Sequence, residues 1–347
     1  MQKLVAEIHL GNIRHNAELF KKCTGAKLCA VVKANAYGHG AEEVTLALSH
    51  IADCFAVALV DEGLQIRQAA CGKDILVFSP PITEEDAYTL AVNGFIATIS
   101  DLWTAKLLAR VCERYALPCR VHLKVNTGMN RFGMNASMLG KVCRFLQGSP
   151  WIFVEGIYSH LYDTTRESAE AQRKLFCQMQ KVCKRYFPDV CAHISATYGA
   201  TLGQKFALDM VRVGLGLYGY TPTQTELSLR KGMTVKGQIL CSRKVSFGGV
   251  GYGHATVEKG QTVALIRGGY ADGFLRKKEN GTVGWSKNAN NLCMDVCLRK
   301  SHQKRGGRTL LLADAEETAR ETGTIPYEVL CAATRRAEMV YDYDEKL

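Results

Sequence analysis

Over its first two thirds the chain alternates short apolar runs with stretches of helical spacing, and this alternation restricts the fold more than any other feature. The candidate strands are Leu28–Val32, Phe55–Val60, Ile75–Phe78, Phe95–Ile99, Arg120–Val125, Ile152–Ser159, Ala192–Ser195 and Met210–Val213. Each is a nearly continuous apolar run, as strands buried on both faces are. The stretch Asn12–Cys23 opens on a residue able to cap and carries Ile13, Ala17 and Phe20 at helical spacing. Asp101–Tyr115 does the same with Leu102, Ala105, Leu108 and Val111. Eight β-then-α units predict an α/β fold with an N-terminal (β/α)8 barrel of the TIM type.

Beyond about Thr221 the rhythm changes. Val235–Phe247, Gln261–Ile266, Leu292–Leu298 and Thr309–Leu312 read as strands between glycine-rich turns, and only Ala313–Glu321 reads as helix. A barrel over residues 1–225 and a mainly β domain over 226–347 are expected. The change falls in the polar stretch Thr221–Leu229, which contains Pro222.

Composition excludes several functions. No apolar run approaches the roughly 20 residues of a membrane-spanning helix, and MQKLVAEIHL lacks the pattern of a signal peptide. A soluble, cytoplasmic protein is expected. The 14 cysteines lie scattered in apolar segments, none in a Cys-x-x-Cys pair. They read as small buried side chains in a reducing compartment, and no metal is implied. The formal charge is +11, yet its densest cluster, Lys300–Arg308, contains no aromatic residue and reads as a solvated loop. A nucleic-acid partner is not expected.

Sites in such barrels form where the strands end at their C-terminal face. The first candidate strand ends at Lys33, the fifth carries Lys124, the sixth runs into His160 and the eighth holds Arg212. Any one of these could be a polar residue facing water; four on one rim are harder to explain that way. A lysine ending a buried strand loses hydration, which lowers its pKa and leaves a neutral amine able to condense with an aldehyde. The Gly38 and Gly40 turn after it positions Tyr37 and His39. The loops after the last two strands, HISATYGATL and RVGLGLYG, suit an anion, since Thr197 and Tyr198 offer hydroxyls and Gly199, Gly214 and Gly216 allow backbone N–H groups to approach.

AVVKANAYGHG, HLKVNTGMNRFGM, GIYSHL and DMVRVGLGLYG, followed by VGYGHA, GGYADG, LCMD and GTIPYEVLC, resemble in order the signatures of the alanine racemase family across nearly the whole chain. The resemblance implies a cytoplasmic isomerase dependent on pyridoxal 5'-phosphate (PLP). It would interconvert L- and D-alanine by two-base exchange of the α-proton and supply D-alanine for peptidoglycan. Lys33 matches the PLP lysine and the base on one face. Tyr252 matches the base on the other face, supplied by a second subunit of a head-to-tail homodimer. Arg212 matches the arginine that meets the pyridine nitrogen, and His160 the histidine linked to the catalytic tyrosine. Arg131 matches a substrate-orienting arginine, and Lys124 the lysine often carbamylated beside it. Tyr37, Thr197, Gly214 and Tyr341 match phosphate contacts, with Leu215 also on the cofactor. Met294 and Asp295 match the loop lining substrate access.

The chain departs from the family pattern in places. Ala196 stands where most members place asparagine, and here, as in VGYG, the chain resembles the serine/alanine racemases of vancomycin resistance. The segment before LCMD reads SKNANN, without the usual glycine-arginine lead, and RRAEMVY replaces a proline-containing arginine motif. Serine or broader specificity therefore stays open. Three further readings are a PLP decarboxylase on the same plan, a non-catalytic PLP-binding barrel and a basic nucleic-acid binder. The tyrosine spacing before GYADG disfavours the first and the β domain disfavours the second.

Overall fold

The computed structural model describes residues 3–252, 258–279, 282–284 and 291–344, with backbone alone at 277–279 and 282–284. Two compact units result, one of residues 1–13, 37–40 and 230–347 and the other of 14–36 and 41–229.

The chain opens with β1 (Leu4–His9) and α1 (Leu10–Thr24). The barrel then follows as β2 (Lys27–Val31), α2 (Lys33–Gly38), α3 (Ala41–Leu48), β3 (Cys54–Val57), α4 (Val60–Ile66), β4 (Asp74–Val77), α5 (Glu84–Val92) and β5 (Ala97–Ile99). It continues with α6 (Leu102–Tyr115), β6 (Cys119–Lys124), α7 (Ala136–Gln147), β7 (Ile152–Tyr158), α8 (Arg166–Lys184), β8 (Cys191–His193), α9 (Thr197–Ala200), α10 (Gln204–Ala207) and β9 (Met210–Val213).

All the barrel pairings are parallel, in two runs ordered β4-β3-β2-β9 and β5-β6-β7-β8. A bridge between Leu76 and Ile96 joins the runs on one side. On the other, Asp209 N–H donates to Ala192 O at 3.1 Å and Arg212 N–H to Ser195 O at 2.9 Å. The eight-stranded barrel expected from the apolar runs is thus observed, with strand ends shifted by up to three residues, the largest at Phe55–Val60, which ends at Val57. The helices start where the sequence caps them: Asp101 accepts from Thr104 N at 2.7 Å and Asn135 from Met138 N at 2.9 Å. Asn12 is an exception. Its helix begins earlier, at Leu10, so Asn12 lies inside it and its amide donates to Lys231 O at 2.9 Å.

The other unit contains β10 (Met233–Lys244), β11 (Thr262–Arg267), β12 (Lys277–Glu279), β13 (Thr282–Gly284), β14 (Asn291–Leu292), β15 (Val296–Lys300), β16 (Arg308–Leu312), α11 (Ala315–Thr322), α12 (Pro326–Ala333) and β17 (Glu338–Asp342). Its main sheet runs β14-β15-β11-β10-β1-β17, with β16 also on β10. Three expectations need correction. β1, counted with the barrel from the sequence, belongs to this sheet: Leu4 lies opposite Gly237 and Ile8 beside Tyr341. Leu292–Leu298 is a hairpin rather than one strand, because Cys293 N–H turns back to Val296 O. A second helix, α12, starts at Pro326, whose missing N–H is no loss at a helix start.

Candidate active site

Lys33 follows the last barrel-facing residues of β2 and is half-buried. The backbone after it is unusual. Ala34, Asn35, Ala36 and Tyr37 have φ of 52, 53, 53 and 54°, so α2 is a left-handed turn. Left-handed backbone costs roughly 1–2 kcal/mol per residue outside glycine, so the neighbourhood must hold it. Glu62 supplies part of that hold. One carboxylate oxygen accepts from Ala34 N at 2.6 Å and the other from Ala58 N at 2.7 Å and Leu59 N at 3.1 Å. Asn35 Oδ1 accepts from Ala41 N at 2.8 Å. Sustained strain beside a candidate nucleophile is a mark of functional sites.

Inside the barrel, polar side chains form one connected set. Arg212 is buried; it donates through Nη1 to His193 Nδ1 at 2.8 Å and through Nη2 to Ser159 O at 2.7 Å and Ile194 O at 3.1 Å. His193 Nε2 lies 2.9 Å from His122 Nδ1, and the His193 ring stacks on Tyr158 at 4.9 Å between centroids. Thr98 Oγ1 donates to Val77 O at 2.7 Å, so its single hydrogen is spent and Tyr158 must donate to it across 2.8 Å. Burial pushes Tyr158 up to about 12 and lowers His122 to about 3. Burial, then Arg212, hold His193 well below its usual value.

The mouth of the barrel gathers cations. Burial, then the charges of Arg212, Lys124, Arg131 and Lys33, keep the half-buried His160 imidazole neutral at ordinary pH. Burial, followed by Arg212 and Arg131, holds the Lys124 amine well below the usual lysine value, and its Nζ sits 4.3 Å from the Tyr158 ring centroid. Lys124, Arg131, Ser159 and His160 line one small cleft. Arg131 itself is exposed, on the loop folded back by Met134 N–H to Lys124 O at 3.0 Å. The four rim residues expected from the strand ends therefore do converge, and Arg131 joins them.

The late loops differ from expectation in detail. Thr197 is buried and its Oγ1 accepts from Gly216 N at 3.0 Å, so that N–H is already engaged within the protein. A Cβ at Gly216 would come 2.5 Å from Phe20 Cε2, so this glycine serves close packing. Gly214 and Leu215 are buried beside it.

These residues can be tested against PLP. The set offers an amine at Lys33 and a surplus of positive charge for a phosphate. Three of the five guanidinium hydrogens of Arg212 go to the acceptors named above, and the Nε hydrogen is one of the two that remain to be offered. A permanently charged donor suits an unprotonated ring nitrogen. The residues present fit the group.

In the other unit, Tyr252 stands on the turn before β11 with its side chain 66% exposed. Met294 and Asp295 form the tip of the β14–β15 hairpin and are exposed. That tip is held from below by Asp272, which is fully buried. Its carboxylate pairs with both terminal nitrogens of Arg267, with Arg336 Nε at 3.3 Å and with Gly269 N at 2.8 Å. Arg267 also donates to Asp295 O at 2.9 Å and Arg336 to Asp295 Oδ1 at 3.0 Å. Tyr37 is buried against Tyr327, with ring centroids 5.8 Å apart. Tyr341 is half-buried on β17. Most of the SKNANN segment lies outside the described residues; its last residue, Asn291, is described.

Sequence reasoning missed His122, His193, Tyr158, Glu62 and Asp272. One signal was available: His122 and Lys124 stand two apart on one strand and so share a face.

A parallel barrel with cations at its mouth, in one chain with a mainly β unit, is a plan of PLP-dependent enzymes. Family models for the alanine racemase N-terminal domain and C-terminal domain match residues 8–222 and 232–341. The alanine racemase of Lactobacillus delbrueckii is 32% identical over 96% of both chains, and that of Treponema pallidum 31% over 97% of this chain and 98% of its own. Among solved structures, the Clostridium difficile alanine racemase superposes with a TM-score of 0.88 at 28% identity, covering 99% of this chain and 97% of that one. The alanine racemase of Bartonella henselae, solved with covalently bound pyridoxal phosphate, gives 0.85 at 26%, covering 99% and 100%. The chain belongs to the alanine racemase family, whose members are PLP-dependent isomerases.

Proposed function

We propose that this chain interconverts L- and D-alanine by moving the α-proton between Lys33 and Tyr252. The observation that carries the reading is the convergence of Lys33, Lys124, Arg131 and Arg212 on His160 at the barrel mouth. PLP, when bound, draws electron density from the α-carbon and so makes its proton removable. Lys33 would hold it covalently, with Thr197, Gly214, Leu215, Tyr37 and Tyr341 around its phosphate. Arg212 would meet the ring nitrogen as a permanently charged donor. A guanidinium does not readily give up its proton, so Arg212 would leave that nitrogen unprotonated and the electron withdrawal moderate.

Lys33 Nζ takes or returns the α-proton on one face and the Tyr252 phenol on the other, which makes the reaction symmetric for the two enantiomers. Arg131 orients the substrate carboxylate. Lys124 lies beside Arg131, and an amine whose protonation is disfavoured by burial and by two arginines is suited to carbamylation by carbon dioxide, which would release a proton and place an anion there to hold Arg131. Met294 and Asp295 restrict access to small side chains. The exposed phenol of Tyr252 supports a head-to-tail homodimer in which each copy lends the other a base. Fourteen free thiols agree with a reducing cytoplasm, where D-alanine feeds peptidoglycan synthesis, and no described helix is long and apolar enough to cross a membrane.

The test is spectroscopic, then chemical. The purified protein should show the visible absorption of lysine-bound PLP, and Lys33→Ala should abolish it. Deuterium from solvent should then enter the α-carbon of L-alanine faster than that of L-serine. Release of carbon dioxide without exchange, or faster exchange into serine, would overturn the assignment.

A further inference from the structure

Asn291 closes the SKNANN segment, which precedes LCMD in place of the glycine-arginine lead of the resemblance. Its side chain is fully buried at the start of β14, where it pairs in the ladder with Leu298. Its Nδ2 donates to Val250 O at 2.6 Å and to Tyr252 O at 2.5 Å. Both amide hydrogens are therefore committed. Turning the amide over would set its oxygen against two carbonyl oxygens, so the orientation follows from chemistry. The residue between those carbonyls, Gly251, has φ +71°, and a Cβ there would come 2.8 Å from Asn291 Nδ2. The close approach thus requires glycine on both grounds. One end of the turn is anchored independently, since Val250 is buried against Val263 with Val245 and Leu298 packed beside them. The other end carries the 66% exposed Tyr252, which the sequence flanks with glycine on both sides. A tyrosine so flanked has a mobile backbone unless something holds it.

We propose that Asn291 is a positioning residue for Tyr252, pinning the carbonyl of the second base to the buried edge of the hairpin. The proposal rests on the reading of Tyr252 as that base. A neutral amide does this. Its two donors reach two carbonyls of one turn, and it adds no charge near the phenol.

The experiment uses the holoenzyme. Asn291→Asp keeps the shape but replaces the donor nitrogen by an oxygen facing the two carbonyls. Amide hydrogen exchange over residues 248–252 should rise while the rest of the chain keeps its protection. The kcat should fall by about tenfold or more, as misplacement of a reacting group does, with KM within about twofold and the cofactor absorption unchanged. The α-deuterium isotope effect should rise for the one enantiomer whose proton Tyr252 removes. Should Asn291→Asp fail to fold, Asn291→Ala removes both donors and carries the same readouts. Unchanged exchange over 248–252, or isotope effects rising equally for both enantiomers, would overturn the proposal. Tyr252→Phe separates the two claims: full activity in that variant removes the base assignment itself. An inactive Tyr252→Phe beside an unaffected Asn291→Asp removes the positioning role alone.

Discussion

Arg212 donates from Nη1 to His193 Nδ1 across 2.8 Å, and this one contact fixes the proton arrangement of the barrel interior. A guanidinium has no acceptor, so His193 Nδ1 must accept. With His193 held neutral by burial and by Arg212, its proton sits on Nε2 and is donated to His122 Nδ1 at 2.9 Å. His122 then carries its own proton on Nε2. Nitrogen-15 spectra of histidine-labelled protein should show both rings as Nε2–H tautomers at neutral pH. A protonated Nδ1 on His193 would contradict this geometry.

The same burial makes stability depend on acid. His122 has its folded pKa lowered to about 3 from 6.5. Between those values the unfolded chain binds a proton that the folded chain refuses. Stability is therefore complete above 6.5 and declines as pH falls through this window, by up to about 1.4 kcal/mol per pH unit for this group. His122→Asn keeps an acceptor for His193 and removes the titration. Its denaturation midpoints, measured from about pH 7.5 down to about pH 5, should fall less steeply than those of the parent. An identical slope would place the acid sensitivity elsewhere.

Glu62 holds the left-handed turn after Lys33 through Ala34 N at 2.6 Å. Glu62→Gln replaces one carboxylate oxygen by a donor facing backbone donors and should cost about 1.5–3 kcal/mol, the range for hydrogen bonds to a charged group. Cofactor retention on dilution should drop with it. A variant of parental stability and retention would show that the turn is held by other contacts.

Asp272 is a fully buried carboxylate between Arg267 and Arg336, both of which also reach Asp295. Asp272→Asn leaves Arg267 without its charge partner and should cost about 3–5 kcal/mol in urea denaturation. KM for alanine should rise as the 293–295 tip loosens.

Gly269→Ala tests the same tip by bulk alone, because its Cβ would come 2.3 Å from Met294 O. A small loss in both variants would mean the tip stands without this support.

The barrel strands were legible because each is a short apolar run, and the capped helices because Asp101 and Asn135 precede helical spacing. The rim residues were legible by position: Lys33, Lys124, His160 and Arg212 all stand at or near strand ends. Local pattern failed where partners are remote in sequence. β1 reads like any apolar strand, and its place depends on β10 and β17, more than two hundred residues away. His193 and His122 lie 71 residues apart, and Asn291 lies 39 from Tyr252. No periodicity relates such pairs.

From residue order alone, then, came the element types, the barrel and the family's motifs, since these depend on spacing along the chain and on which side chains water rejects. Folding in three dimensions decided which donors meet which acceptors. That choice set the buried histidines neutral, bent the segment after Lys33 into a left-handed turn and tied Tyr252 to Asn291. Hydrogen bonds and desolvation act over a few ångströms of space, and chain distance does not predict them.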